Sequence, residues 1–246
     1  MSKIKVLAAG HGGQGVLLLG DYIAYAAMLQ GKHVAYTPSY GPETRGGKAK
    51  CYVVISDEEI DNPIAEVPDV ELIMNQPSLD YLNDLRPEGL AIYNTTLIDT
   101  GIDRDDVKRF GIPATEIAEG LKRELPSDQI QDMKMFANSV MFGAFLELCA
   151  PQIEEDQIKE SLKHFFAGKK ESLIPINFIA LMKGKEYVRV NPIPDHKSLS
   201  PFHCIPSWAA PMNGCWSTAA SSASYGRSWT PGKSCRKGRS RPPKRG

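Results

Sequence analysis

Two glycine-containing segments carry the residue types and spacing with which a backbone can hold an anion. The first, Gly10-His11-Gly12-Gly13-Gln14-Gly15, follows a short apolar run from Ile4 to Ala9 and opens onto another from Val16 to Gln30. Strand, glycine turn and helix in that order match the dinucleotide pattern G-x-G-x-x-G. In that pattern Gly10 permits a tight turn, Gly12 lets backbone approach a phosphate and Gly15 lets helix and strand pack closely. Exposed N–H groups and the positive end of the helix dipole would favour a negative group there. A dinucleotide site also needs a carboxylate about 20 residues further on, at the end of the second strand, to hold the ribose hydroxyls. Here that strand ends Ala35-Tyr36-Thr37-Pro38, and the first carboxylate after it is Glu43. The loop is therefore expected to be structural or to serve another phosphate-bearing group, with His11, Gly13 and Gln14 on the turn where a ligand or a neighbouring subunit would meet them.

The second segment is Ser39-Tyr40-Gly41-Pro42-Glu43-Thr44-Arg45-Gly46-Gly47. Arg45, flanked by glycines, would present a planar cation to a phosphate or a partner carboxylate. Tyr40 would stack on an adenine or seal an interface. Interface docking is the preferred use of this loop, ahead of direct ligand contact. Redox chemistry finds no support elsewhere in the chain. The five cysteines (Cys51, Cys149, Cys204, Cys215, Cys235) form no CxxC pair, which argues against a zinc ribbon, an iron–sulfur motif or a redox dithiol and fits a reduced, cytoplasmic setting. No catalytic or metal-ligating residue is assigned.

The elements that must position these loops follow from apolar periodicity. Strands are expected at Ile4 to Ala9, His33 to Thr37, Lys48 to Ile55, Asp69 to Met74 and Leu90 to Tyr93, and helices at Val16 to Gln30, from Pro77, and at Pro113 to Leu125 and Met133 to Leu148. Alternation of strands with helices predicts an α/β, Rossmann-like, mostly parallel sheet with helices on both faces. The run Met133 to Leu148 is apolar on most sides and should be buried. Glu154 to Phe166 and Glu171 to Lys183 add C-terminal helices, expected to pack at one edge.

The zero formal charge of the 246 residues hides a division. From Asn191 onward nine Lys or Arg face one acid, Asp195, a net of +8, so residues 1–190 carry −8. The tail also holds all three tryptophans and is rich in Ser, Pro and Gly. Two regions are therefore expected: a globular domain over 1–190 and a basic tail over 191–246, disordered or an artefact of an altered reading frame. The tail lacks the alternation or aromatic spacing of a nucleic-acid module, so no such partner is assigned. The N-terminus has no signal-peptide pattern and no run is long enough to span a bilayer, so a membrane role is not expected either.

The two glycine loops in this order, with Pro63 in Asp61-Asn62-Pro63-Ile64, then Asn75-Gln76-Pro77 and Ile174-Pro175-Ile176-Asn177, resemble the gamma subunit of the 2-oxoacid:ferredoxin (or flavodoxin) oxidoreductases over about residues 3 to 190. The form Ser-Tyr-Gly-Pro-Glu-x-Arg-Gly-Gly is most like the 2-oxoglutarate and branched-chain types, with 2-oxoglutarate preferred. The resemblance implies a complex in which thiamine diphosphate with Mg decarboxylates a 2-oxoacid, iron–sulfur clusters pass electrons to ferredoxin, and coenzyme A takes the acyl group. This chain shows neither a cysteine cluster nor a thiamine-diphosphate signature, so those cofactors are expected on alpha, beta and iron–sulfur delta partners or on ferredoxin. Gly10, Gly12, Gly13, Gln14, Gly15, Tyr40 and Arg45 are the residues that would meet coenzyme A or a neighbouring subunit. Rival readings are an indolepyruvate oxidoreductase subunit and an independent NAD(P)-dependent oxidoreductase, for which His164 is an available acid or base.

Overall fold

The computed structural model describes residues 3–41, 47–124, 132–151, 153–168 and 171–193. Arg45 and the basic tail beyond residue 193 lie outside the described residues. Six strands, β1 (Lys3–His11), β2 (His33–Tyr40), β3 (Lys48–Ser56), β4 (Val70–Ile73), β5 (Leu90–Asn94) and β6 (Lys108–Ile112), form one sheet in the order β2-β3-β1-β4-β5-β6. β1, β4, β5 and β6 pair in parallel, whereas β3 pairs antiparallel with both β1 and β2. The α/β, mostly parallel architecture is thus as expected, and the reversed β3 is its one departure. β2 and β3 form an antiparallel pair that lies beside β1, the arrangement that strands joined by a short connection adopt.

Side-chain alternation divides the sheet into two unequal faces. Val6 and Ala8 of β1, Cys51 and Val53 of β3, Val70 and Leu72 of β4 and Ile92 of β5 point into the larger core. The helices α1 (Val16–Leu29), α2 (Ala114–Glu124), α3 (Ala137–Cys149), α4 (Glu155–Phe166) and α5 (Ile174–Val190) complete that core. The opposite face, with Ala9, Ile73 and Ala91, is covered by the 3-10 helix Gln76–Asn83 and by Ile98, Ile102 and Val107 of the loop between β5 and β6. Helices therefore lie on both faces, but the expected helix beginning near Pro77 is a 3-10 helix. β6 was not foreseen. Its Lys108 and Arg109 break the apolar pattern that marks the other strands.

Local sequence explains the helix ends. Glu154 and Gln157 form a reciprocal capping box that starts α4, satisfying two amide groups that the first turn leaves unpaired. Asn75 caps the 3-10 helix by accepting the Ser78 amide at 3.1 Å. α3 is buried at nearly every position and occupies the middle of the helical layer. α5 packs along it, which corrects the expected edge position of the C-terminal helices. The two backbones meet through a glycine on each side: a Cβ on Gly143 would fall inside the Leu181 carbonyl oxygen, and one on Gly184 inside the Val140 carbonyl oxygen. Beside this contact the buried Lys185 ammonium reaches Glu147 at 3.6 Å, and Arg189 binds the same carboxylate with two donors, at 2.8 and 3.1 Å. Among the described residues no helix is long and apolar enough to cross a membrane.

Neither helix backbone can yield locally, so a single methyl group at this crossing must push the helices apart. Gly143→Ala is expected to lower stability by about 3 kcal/mol or to prevent folding. Urea unfolding of the purified chain measures this, and Gly120→Ala, on the open surface of α2, should instead raise the midpoint slightly, because alanine is the better helix former.

Candidate functional site

The C-terminal ends of β1 and β4 lie side by side where the chain's connections leave in opposite directions, the place where open α/β sheets form their crevice. Side chains of this protein bridge that crevice. Gln14 folds back so that its Oε1 accepts the His11 amide at 2.9 Å and the Asn75 Nδ2 at 2.9 Å. Asn75 is itself fixed, its Oδ1 accepting both the Ser78 amide and the Ser78 hydroxyl, the latter at 2.7 Å. The Gly12 amide, which the dinucleotide pattern reserves for a phosphate, donates instead to the Gly47 carbonyl at 2.9 Å, and Gln14 N–H donates to His11 O at 3.2 Å. Three amides of the first glycine loop are therefore already committed within the protein. The loop carries no open phosphate cradle at those positions, and β3 separates β1 from β2. A dinucleotide does not fit this arrangement, which removes the main support for an independent NAD(P)-dependent enzyme.

Gly15 ends the loop at φ +69°, the left-handed region, and caps α1 without a side chain. Asn138, at the start of α3, leans on it: its Nδ2 donates to Gly15 O at 3.3 Å, and its Oδ1 accepts the Ser139 amide. Asn94, at the end of β5, makes a comparable knot, donating to Thr115 Oγ1 at 2.9 Å and to Met74 O at 3.4 Å and accepting the Thr115 amide. Asn177, from the late motif, accepts the Ser139 hydroxyl at 2.6 Å and donates to Leu173 O. Asn94 and Asn138 escape a sequence reading because a single amide in an apolar run carries no spacing signal.

Gly10, Gly12, Gly13, Gln14 and Gly15 are thus brought together. Gly10 remains in β1 opposite Ala49. Tyr40 lies at the end of β2 and is 70% exposed. Near it an open pocket of about 600 Å³ is lined by Ser39, Tyr40, Gly41, Gly47, Lys48, Lys50 and Tyr81. Lys50 Nζ stands over the Tyr81 ring at 4.6 Å and the Tyr52 ring at 5.1 Å. Such an arrangement holds an ammonium by ring electrostatics and leaves its charge available to an anion. Lys48 and Lys50 were missed because alternation marked them only as the solvated side of a strand. His164 belongs elsewhere, stacked on Tyr25 at 4.3 Å on the surface of α4.

Cys51 and Cys149 are buried and free. Burial pushes the Cys51 thiol up to about 12, and it donates to Val16 O. A thiol held protonated in this way is neither a nucleophile nor a cluster ligand. Among the described residues no group of three or more His, Cys, Asp or Glu is placed to hold a metal.

A strand–glycine turn–helix with its crevice bridged by side chains, beside a lysine and tyrosine pocket, defines a nucleotide-type α/β fold. Comparison with known proteins gives that class a family. Residues 5–187 match the family described as pyruvate ferredoxin/flavodoxin oxidoreductase, and the chain belongs to it. Over 192 residues it is 38% identical to ketoisovalerate oxidoreductase subunit VorA of Methanothermobacter thermautotrophicus, covering 77% of this chain and 37% of that protein. Over 194 residues it is 35% identical to 2-oxoglutarate synthase subunit KorC of the same organism, covering 75% of this chain and 94% of that protein. The gamma subunit of a keto/oxoacid ferredoxin oxidoreductase from Geobacter sulfurreducens superposes with a TM-score of 0.59 at 25% identity, over 76% of this chain and 99% of that one. A 2-oxoglutarate:ferredoxin oxidoreductase from Magnetococcus marinus, solved with 2-oxoglutarate, coenzyme A and succinyl-CoA bound, gives 0.66 at 26% identity, over 77% of this chain and 32% of that one. The chain therefore spans about a third of the length of VorA and of the Magnetococcus chain.

The left-handed Gly15 is checked by a double substitution. Gly15→Ala should cost about 2–3 kcal/mol, combining left-handed strain of about 1–2 kcal/mol with a Cβ placed 2.6 Å from Asn138 Nδ2. In an Asn138→Ala background only the strain should remain, so chemical unfolding of the four variants should give a favourable coupling energy.

Proposed function

We propose that this chain is the gamma-type subunit of a 2-oxoacid:ferredoxin oxidoreductase, an enzyme that oxidatively decarboxylates a 2-oxoacid with coenzyme A to acyl-CoA and CO2 and reduces ferredoxin. The subunit carries no redox step itself. The observation that most supports this reading is the family match through the whole helical layer and sheet, together with an alignment to KorC over nearly that protein's full length. Thiamine diphosphate, Mg and iron–sulfur clusters belong on this reading to alpha, beta and delta-type partners, which supply the decarboxylation and the electron path when bound. The buried, protonated thiols and the glycine loop with its committed amides are consistent with a chain that assembles and shapes the complex.

The two loops form the working surface. Gly12 and Gly47 tie their described ends together, so Tyr40 and the lysines of the adjoining pocket are offered from one base, and Arg45 lies between Tyr40 and Lys48 in the sequence. There they meet a partner subunit or the phosphates of coenzyme A, with the Gly10 to Gly15 turn as foundation. Either contact suits exposed cations and an exposed ring better than it suits the occupied amides below them. The preferred substrate is 2-oxoglutarate, from the form of the second loop. A branched-chain 2-oxoacid is the second reading, favoured by the somewhat higher identity to VorA.

Native purification of the complex from its source cell through a tag on this chain should recover thiamine-diphosphate and iron–sulfur subunits. The eluate should reduce a viologen dye only when both a 2-oxoacid and coenzyme A are present. Faster turnover with 2-oxoglutarate supports the first substrate and faster turnover with ketoisovalerate the second, while a lone chain with no such activity rejects the subunit reading. Arg45→Ala is expected to weaken subunit retention or raise the coenzyme A concentration needed for half-maximal rate by about tenfold, the loss of one charge-assisted contact.

A further inference from the structure

The thinly covered face of the sheet contains a buried acid that no part of the site uses. Glu71 lies in the middle of β4, between Leu7 of β1 and Ala91 of β5. It is fully buried, and both carboxyl oxygens lack a hydrogen-bond partner among the described residues. Its surroundings are apolar: Ile73 and Ala91 on the sheet, with Leu82, Leu85, Ile98, Ile102 and Val107 in the cover. Ionising a carboxyl in such a place without a partner is strongly unfavourable. Burial, with a smaller contribution from nearby Asp84 and opposed by Arg104, pushes its pKa up to about 8.

The cover is fastened by the cation that acts on Glu71. Arg104 Nη1 donates to Leu82 O at 2.5 Å and to Leu85 O at 3.0 Å, the carbonyls at the end of the 3-10 helix, while its Nε and Nη2 hold Asp106. Of the other charged groups on this face, Asp84, just after the 3-10 helix, acts on Glu71 against Arg104, and several more are engaged at the margins. The Lys5 amide donates to Asp69, Asp69 pairs with Arg86 at 2.9 Å, and Arg109 donates to Ile102 O and approaches Asp105 at 3.6 Å. The same 3-10 helix carries Tyr81, whose ring stands over Lys50 in the wall of the lysine pocket.

We propose that Glu71 and Arg104 form a proton-operated latch: the 3-10 helix stays fastened while the Glu71 carboxyl carries its proton, and ionisation draws Arg104 away from Leu82 and Leu85 and frees Tyr81 from Lys50. One proton leaves Glu71 for solvent and no covalent bond changes. Below the transition the carboxyl is neutral and Arg104 is free to hold the carbonyls. Above it the buried anion competes for the same guanidinium, so the clamp opens as pH rises. The pocket wall then becomes sensitive to alkaline pH whatever the pocket binds, so the latch does not depend on the subunit reading.

Amide hydrogen exchange of the full chain, followed by mass spectrometry at pH 6.5 and 9.0 with exchange times scaled for intrinsic chemistry, tests this. In the wild type, protection of residues 78–86 should fall at least tenfold between the two pH values, while protection of α3 should hold. Glu71→Gln, which keeps the shape and removes the charge, should keep that protection within twofold at both. An unchanged wild type, or an equal loss in wild type and Glu71→Gln, overturns the latch. If Glu71→Gln fails to fold, carbon-13 titration of the glutamate carboxyls in the wild type decides: one glutamate titrating in the alkaline range supports the proposal, and all of them titrating at ordinary carboxylate values overturns it. Arg104→Met should expose 78–86 already at pH 6.5, and wild-type protection in that variant also overturns it.

Discussion

Because β3 pairs antiparallel with both β1 and β2, the chain entering β3 is brought to the end of the sheet from which the chain leaving β1 departs. The hydrogen bond from Gly12 to Gly47 is the outcome, and most of the site depends on it. It consumes an amide that a dinucleotide fold would offer to phosphate, and it gives the second glycine loop a fixed base at Gly47. A parallel β3 would have left this end of the sheet open and its loop far from Gly12.

Amide side chains, half-buried or buried, do the remaining work at that end. Gln14 and Asn75 fill the crevice, Asn94 joins β4 to the start of α2, and Asn138 holds the glycine turn against α3. An amide can donate and accept at once, so Asn94 and Asn138 each satisfy two or three backbone groups, while Gln14 and Asn75 bind each other and the His11 and Ser78 amides. These knots make the site an extension of the helical layer. The layer is in turn held at close range by the Gly143 and Gly184 crossing, where two helices touch through backbone. The amide knots thus rest on the layer that contains the closest helix contact among the described residues.

The two faces of the sheet serve different ends. One is covered by five helices and a continuous apolar core, which fixes geometry. The other has a cover of one 3-10 helix and a loop, fastened by Arg104, and it buries Glu71, whose carboxyl has no hydrogen-bond partner among the described residues. Regions with few apolar contacts open most readily, and the lysine and tyrosine pocket takes its wall from that face. A gamma-type subunit built in this way combines a rigid side that positions the loops with a side able to respond.

Apolar periodicity was enough to place β1 to β5 within a residue or three at each end, to place α1, α3 and α4, and to locate both glycine loops, because burial of one face leaves a direct mark on residue order. Ordered motifs carried the family. The sequence left β6 unmarked, since a half-exposed edge strand bearing Lys108 and Arg109 does not alternate cleanly. It also left unmarked the reversal of β3, the crossing of α3 and α5, the grouping of Asn75, Asn94 and Asn138 at one end of the sheet, and the burial of Glu71 within the electrostatic reach of Arg104. Each of these depends on which distant segment lies opposite, and periodicity reports only that a residue has a buried side. What the partner is, and whether a glycine amide is free for a ligand or already spent on a neighbouring carbonyl, is decided when the chain folds back on itself.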